Sequence, residues 1–389
     1  MAFDVDLVIL GGGCAGLSLA WRLSGLGAEC PSTLIAEQRA TYVNDRTWCF
    51  WSNNDTKVEP LVLQQWQWLQ LEAHGRSIRF DCGKVPYQML ASSDFYEHAC
   101  QAIKGSSSVS LSLDTAVIAE PRKVSAGWAI ETSQGTITAR MVVDTRPDQA
   151  PKKGKAALWQ SFYGHEVVCD IEVFDPACAV LMDFSVSTSR QIPFTYVLPI
   201  SRHRAMIEAT VFGPDPLCPM DLVAQLEAAK LKYVGDASFC VVRSESGILP
   251  MGLKKQPARP DSGYVKVGVM AGAARASSGF AFQRIQQWAE NCSLAIAAGR
   301  GVVGQAKDPW VLRQMDHLFL KVIGTEAQIA PDLFLSIFDK ADSASVIRFL
   351  SGRGTLKDYL QIIAALPAKH FVRQLLVPRF PQFSSNPAK

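Results

Sequence analysis

Six residues near the start of the chain, Gly11-Gly12-Gly13-Cys14-Ala15-Gly16, have the G-x-G-x-x-G spacing of a pyrophosphate cradle. Gly11 permits a tight turn, Gly13 lets backbone approach a diphosphate, and Gly16 seats the following helix against a strand. The N–H groups at Cys14 and Ala15 open that helix, where unpaired donors and a positive dipole end favour phosphate. Glu37 follows 21 residues after Gly16. A carboxylate there hydrogen-bonds ribose hydroxyls and repels a 2′-phosphate. Together these residues predict an adenine dinucleotide site. The spacing alone would also suit an ordinary glycine turn beside a surface glutamate.

The elements needed to position that chemistry surround it. Val5 to Leu10 is apolar except for Asp6, as in a parallel strand buried on both faces. LSLAWRLSGLG after the turn reads as a helix, and Ser32 to Glu37 as a second strand ending in the acid. Thr41 to Trp51 (TYVNDRTWCFW) is irregular but too aromatic for an ordinary loop. Either it packs inward as core, or Thr47, Trp48 and Phe50 line a pocket for flavin or an extended apolar ligand. Trp66, Trp68, Ile78 and Phe80 alternate like strand residues, and Ser92 to Ile103 carries an N-cap signal with helical spacing.

Further along, Val142-Val143-Asp144-Thr145-Arg146 reads as a buried strand returning toward the dinucleotide, and Pro147 to Lys155 as a polar linker. Residues 156–213 predict a meander of antiparallel strands, Met220 to Tyr233 a helix, and Ser246 to Met251 an extended apolar turn. Val265 to Gly272 reads as another buried strand, followed by small residues and a helix from about Phe282 to Gly299. That strand, turn and helix offer a second phosphate-sized N-terminus. After Gly304 the chain is helical, with apolar stripes that suit core or lipid.

At 389 residues the chain can bury a large core. Charged residues are only 19% and hydrophobic ones 48%, with a mean hydropathy of +0.08. A net charge of +3 is too small to suggest nucleic acid. The apolar balance fits an apolar substrate, a membrane surface or simply a thick core. No run is long enough for a transmembrane helix. Asp4 and Asp6 stand where an export signal would carry positive charge. Ten cysteines without a C-x-x-C pair read as reduced core residues, and six dispersed histidines predict no metal site. The expected location is cytoplasmic, peripheral at the inner face of the membrane.

A βαβ start, a return strand, an antiparallel insertion and a late strand–turn–helix match the discontinuous layout of two-domain flavoproteins. NAD dehydrogenases usually run several βα units consecutively, so the cofactor expected is FAD. The fold class is α/β (α+β), with a Rossmann-like FAD-binding domain in two pieces, 1–150 and 260–304. An antiparallel β-rich substrate domain spans 151–259, with a contribution from about 61–90. A helical, membrane-associating region follows at 305–377, and a disordered tail at 378–389.

Six stretches, in order, resemble the bacterial FAD-dependent lycopene β-cyclases of the CrtY type over nearly the whole chain. LVILGGGCAGLSLAWRL opens the likeness. Asp45-Arg46-Thr47-Trp48-Cys49-Phe50 is similar to that family's His-Thr-Trp-Ser-Phe, and Val143-Asp144-Thr145-Arg146 to its Ile-Asp-Gly-Arg. Trp159 to Glu166 resembles its Gln-Ala-Phe-x-Gly-x-Glu, Phe194 to Pro199 its Phe-x-Tyr-x-Leu-Pro, and Gly247 to Pro250 its Gly-x-Leu-Pro. The segment from Pro331 to Ile363 also follows the family's closing pattern.

The resemblance implies an intramolecular lyase that folds the ψ-ends of lycopene into β-ionone rings, giving γ-carotene and then β-carotene. No net electrons move. It implies FAD in its reduced form, with NAD(P)H as electron source, a carotenoid substrate taken from a bilayer, and no metal or nucleic acid. Carried over by motif, Arg46, Asp144, Gly272 and Gly279 join the glycine turn and Glu37 as cofactor residues. Phe194, Tyr196 and Thr210 join Thr47, Trp48 and Phe50 in the substrate pocket. The family's acidic motif falls on Glu208-Ala209-Thr210, which makes Glu208 the catalytic acid. Desolvation among aromatic strands would raise its pKa and suit it to proton transfer. A sheet glutamate paired with Arg204 is the plainer reading.

Two positions depart from the family. Its second acid is Ala209 here, which strand alternation turns away from Glu208. The late flavin segment, Gly272 to Phe280, has Ala276 in place of a proline but keeps both glycines. The alternatives are a flavin-dependent monooxygenase or prenyl reductase of the same fold, and a non-catalytic carotenoid- or flavin-binding protein.

Overall fold

The computed structural model describes residues 3–52, 57–147, 151–184, 190–254 and 263–376. The expected disordered tail, 378–389, lies outside the described residues. The chain opens with β1 (Val5–Leu10), α1 (Cys14–Ser24) and β2 (Thr33–Ala36). Strands β3 (Thr47–Trp51), β4 (Gln64–Trp66), β5 (Trp68–Ala73), β6 (Arg76–Asp81) and β7 (Tyr87–Ala91) lead into α2 (Ser92–Lys104). Then come β8 (Val109–Ser112), β9 (Arg122–Val124), β10 (Gly127–Thr132) and β11 (Gly135–Asp144). Four more strands follow: β12 (Ala156–Cys169), β13 (Cys178–Phe184), β14 (Ile192–Pro199) and β15 (Arg204–Gly213). Helix α3 (Val223–Val234) separates them from β16 (Phe239–Leu253). The chain ends with β17 (Tyr264–Lys266), α4 (Phe282–Ala297), α5 (Trp310–Thr325), α6 (Ala330–Lys340), α7 (Ser343–Leu350), α8 (Leu356–Ala365) and α9 (Ala368–Leu376).

The first sheet runs β8-β2-β1-β11-β10-β9, with β17 pairing the end of β11. Its central strands are parallel and β9 and β10 antiparallel. β1 is covered on both sides, which explains its near-continuous apolar sequence. Leu7 and Ile9 pack with residues of α1 and α4, while Val8 and Leu10 pack with Trp128, Val142 and Tyr264 on the other face. The second sheet runs β16-β12-β15-β14-β13-β5-β6 and is antiparallel except where β13 meets β5. A small sheet, β3-β7-β4, is drawn from the stretch between β2 and β8.

β15 shows how the second sheet is used. Ala205, Ile207, Ala209 and Val211 pack on one face with Leu226 and Ala229 of α3. Met206, Glu208, Thr210 and Phe212 alternate to the opposite face. Met206 and Phe212 there join a core with α5, α6 and α7. Ala209 therefore supports α3 and is no part of the cavity side.

Several local expectations are corrected. The stretch Thr41 to Trp51 is not wholly irregular: Thr47–Trp51 is a strand, held by β7 in antiparallel register. Ser246 to Met251 is no turn but the middle of the fifteen-residue β16, paired along its length with β12. The late strand is only Tyr264–Lys266 and gives way to a 3-10 turn at Val269–Ala271. Ser92 does not cap α2; its hydroxyl accepts from the N–H groups of Asp45 and Arg46, tying the aromatic segment to that helix.

Candidate active site

The glycine turn behaves as its spacing requires. Gly11 has φ +92°, a conformation that side chains rarely adopt. A Cβ on Gly16 would collide with the Gly11 carbonyl oxygen, so the turn closes only around glycine. Gly13 is the N-cap of α1, with no side-chain cap, and its Cβ direction is open up to Arg39 Nη2 at 3.9 Å. Glu37 is 3% exposed, not a surface residue. Its Oε2 accepts the Gly12 N–H at 2.5 Å and its Oε1 accepts Arg39 N and Nε at 2.9 and 3.0 Å. The Arg39 guanidinium lies over the Tyr42 and Tyr96 rings. Burial pushes the Cys14 thiol up to about 12, so no thiolate opposes an anion at this helix start.

A single continuous cavity of about 1780 Å³ begins at Gly11, Gly13, Cys14, Ala15 and Glu37 and extends to the second sheet. Arg46, Thr47 and Trp48 line its side, as does Gly279, whose φ is +74°. Four expected site residues are not in the lining, among them Gly16, which packs against the Gly11 carbonyl. Phe50 is buried and stacked on Phe282, 4.9 Å between centroids, and it is Phe282 that lines the cavity. Asp144 is fully buried and bound by Arg146 Nε and Nη2 at 2.9 and 2.8 Å and by the Tyr264 hydroxyl. It positions Arg146, which does line the cavity. Gly272 ends the 3-10 turn outside the lining.

The floor at the far end is built from rows across the second sheet. Tyr196 on β14, Glu208 on β15, Gly164 on β12 and Glu245 on β16 are opposed in register. Opposed residues share a face, so the two carboxyls meet over a glycine that has no side chain between them. Two residues along, Phe194, Thr210, Phe162 and Gly247 form the next row. A Cβ on Gly247 would reach Phe162 Cζ at 2.5 Å, so that ring lies over the β16 backbone. Tyr196, Glu208, Glu245, Phe194, Thr210 and Phe162 all line the cavity.

Burial pushes the Glu208 carboxyl well above the usual range, and the neighbouring charge and hydrogen-bonding oxygen of Glu245 push it further. Arg204 does not pair with Glu208. It binds Glu166, which also receives Arg243 Nε at 2.8 Å. Arg243 in turn forms an ion pair with Glu245 and donates to Thr47 Oγ1 at 2.7 Å, while the Thr47 hydroxyl donates to Glu245 Oε2 at 2.7 Å. On the other flank the Tyr196 and Tyr87 hydroxyls are 2.8 Å apart, and burial raises both phenols.

Sequence reasoning therefore missed Glu245, Arg243 and Gly164. The alternation Glu245, Gly247, Leu249 was the available signal, hidden once Ser246 to Met251 is taken for a turn. Among the described residues no cluster of three or more His, Cys, Asp or Glu could hold a metal. No helix among them is long and apolar enough to cross a membrane.

Comparison with known proteins adds the following. The family profile described as lycopene cyclase protein matches residues 6–376. No curated protein matches the sequence. Among solved structures, a geranylgeranyl bacteriochlorophyll reductase-like protein from Thermoplasma acidophilum is similar at TM-score 0.62 and 13% identity, over 95% of this chain and 98% of that one. A flavin-dependent brominase is similar at 0.61 and 14%, over 92% and 98%. A p-nitrophenol 4-monooxygenase from Pseudomonas putida is similar at 0.59 and 12%, over 97% and 100%. At these identities the likeness shows the fold.

Proposed function

The chain belongs to the lycopene cyclase family, and from that premise we propose that it closes the linear ends of lycopene into β-ionone rings, using Glu208 as the acid. The observation that carries this is a buried carboxyl on an apolar cavity floor. Burial and the neighbouring Glu245 favour the protonated form of Glu208, which is flanked by Tyr196, Phe194 and Phe162. Protonation of an end-group alkene by Glu208 leaves a tertiary cation. The neighbouring double bond attacks it, the ring forms, and loss of a proton restores an alkene. Aromatic faces stabilise a cation that water would otherwise trap.

The other end of the cavity fits FAD. An open Gly13 at an uncapped helix start suits a diphosphate, and the buried Glu37 carboxylate suits a ribose. Gly11, Gly13, Cys14, Ala15 and Glu37 would hold the adenylate half, with Arg46, Arg146 and Gly279 further along the same cavity. When bound in its reduced, anionic form, the flavin supplies negative charge near the cation.

A substrate insoluble in water also calls for a bilayer, and we place the protein peripherally on one. Trp310, Val311, Ile363, Val372 and Leu375 are exposed apolar residues of α5, α8 and α9 that also line the cavity. Contiguous apolar surface of this kind marks an interaction site.

The decisive test is anaerobic incubation of lycopene with the protein and pre-reduced FAD, followed by product mass. A ring-closed isomer is expected. A gain of two hydrogens or of one oxygen would instead identify a reductase or a monooxygenase. Glu208→Gln should abolish turnover with flavin still bound.

A further inference from the structure

We propose that Glu245 is the positioning partner of Glu208: the two carboxyls share one proton, carried by Glu208, and Glu245 is the ion-paired half that fixes it. This rests on the cyclase reading above and adds to it the residue that keeps the acid loaded. The two side chains flank Gly164 in register, on the same face, and are 8% and 5% exposed. Two carboxylates that close in a dry cavity cannot both ionise.

The neighbours decide which one carries the proton. Arg243 and the Thr47 hydroxyl both serve Glu245. The groups facing Glu208 from the other side are the buried Tyr87 on β7 and the half-buried Tyr196 on β14 and Cys49 on β3, all neutral donors. Arg243 is shared with Glu166, which Arg204 also binds. In this network two guanidiniums balance the carboxylates of Glu166 and Glu245; Arg243 also acts on Glu208, but more weakly than burial and Glu245 oppose its ionisation. Thr47 locks the arrangement by bridging β3 to β16.

The proton count closes. The Glu208 O–H bond breaks as a C–H bond forms at the terminal alkene, leaving a carboxylate beside a tertiary cation. Ring closure consumes one double bond and moves the cation. A C–H bond next to the new cation then breaks, its electron pair becomes the ring alkene, and its proton returns to Glu208. Glu245 ends as it began. Its charge makes ionised Glu208 a strong base, which favours the return.

The test uses infrared difference spectra of the full chain without lycopene, wild type against Glu208→Gln, across pH. A protonated carboxyl band absent from Glu208→Gln is expected at neutral pH. In Glu245→Gln that band should titrate at least about one pH unit lower. The falling, high-pH limb of kcat/KM should move down with it, while flavin affinity stays unchanged. A Glu208 titration that is unmoved or raised in Glu245→Gln overturns the proposal. Should that variant not fold, Glu245→Asp withdraws the charge by one methylene and must also lower the titration. The spectra need no turnover, so failure of the cyclase reading shows separately, as a missing cyclic product.

Discussion

Gly164 lies directly opposite Glu208 between β12 and β15, and a Cβ on it would come within 2.5 Å of Glu208 Cγ. The glutamate stem thus leans across the space that a side chain would fill. Gly164→Ala must push the carboxyl aside, since the Ile207 carbonyl and Met206 Sδ close the remaining directions at 3.1 and 3.2 Å. Misplacing a catalytic group by about 1 Å costs on the order of 100-fold in rate. Cyclisation should fall by that factor while flavin titration is unchanged. Near-normal product formation would show that Glu208 does not need this path.

What could be read in the sequence, and what could not, follows from the distance between the residues involved. Gly11, Gly13, Gly16 and Glu37 belong to one βαβ unit, whose glycine spacing is dictated by local backbone geometry. The placing of Gly11, Gly13 and Glu37 at one end of the cavity, with Gly16 packed behind them, was therefore legible. The floor depends on register among strands carrying Gly164, Tyr196, Glu208 and Glu245, which no short-range pattern specifies. The acid at 208 came from motif likeness, whereas its partner lay two residues before a Gly-x-Leu-Pro stretch that resembled a turn. The expected pocket residue Phe50 fails because of a partner far along the chain: it is stacked on Phe282, which lines the cavity in its place.

A carboxyl kept neutral in the fold has a consequence for stability. The unfolded chain releases the Glu208 proton above its ordinary value of 4.5, while the folded chain retains it to higher pH. Stability therefore falls as pH rises through that window, by about 1.4 kcal/mol per unit. Glu208→Gln removes the effect and keeps an N–H donor toward Glu245. The variant should melt above wild type at pH 8, with the difference vanishing toward pH 4.5. A variant less stable than wild type at pH 8 would contradict a protonated Glu208.

Arg275 and Asp316 form a buried ion pair, Nη2 to Oδ1 at 3.1 Å, which ties the segment before α4 to α5. Ser277 also donates to Asp316 at 2.8 Å, and the guanidinium sits 4.0 Å over the Phe349 ring of α7. Removing one partner strands a buried charge. Asp316→Ala should lose about 3–5 kcal/mol in urea unfolding, whereas the double replacement Arg275→Met with Asp316→Leu should recover most of it. Equal losses in both would show that the helical region is held by packing alone.

Trp310, Leu360, Ile363, Val372 and Leu375 expose 49–68% of their surfaces on α5, α8 and α9. Residues of all three helices also line the cavity, so the apolar surface and its mouth coincide. Lys369 and Arg373 are exposed on α9 and would meet anionic headgroups. Replacing Trp310, Val372 and Leu375 by serine changes exposed side chains and should leave the melting temperature within a few degrees. Binding to vesicles containing anionic lipid should drop at least about tenfold, and lycopene turnover from vesicles with it. Turnover of lycopene presented in detergent should be spared, because the floor residues remain in place. Undiminished flotation with vesicles would move the bilayer contact to another face.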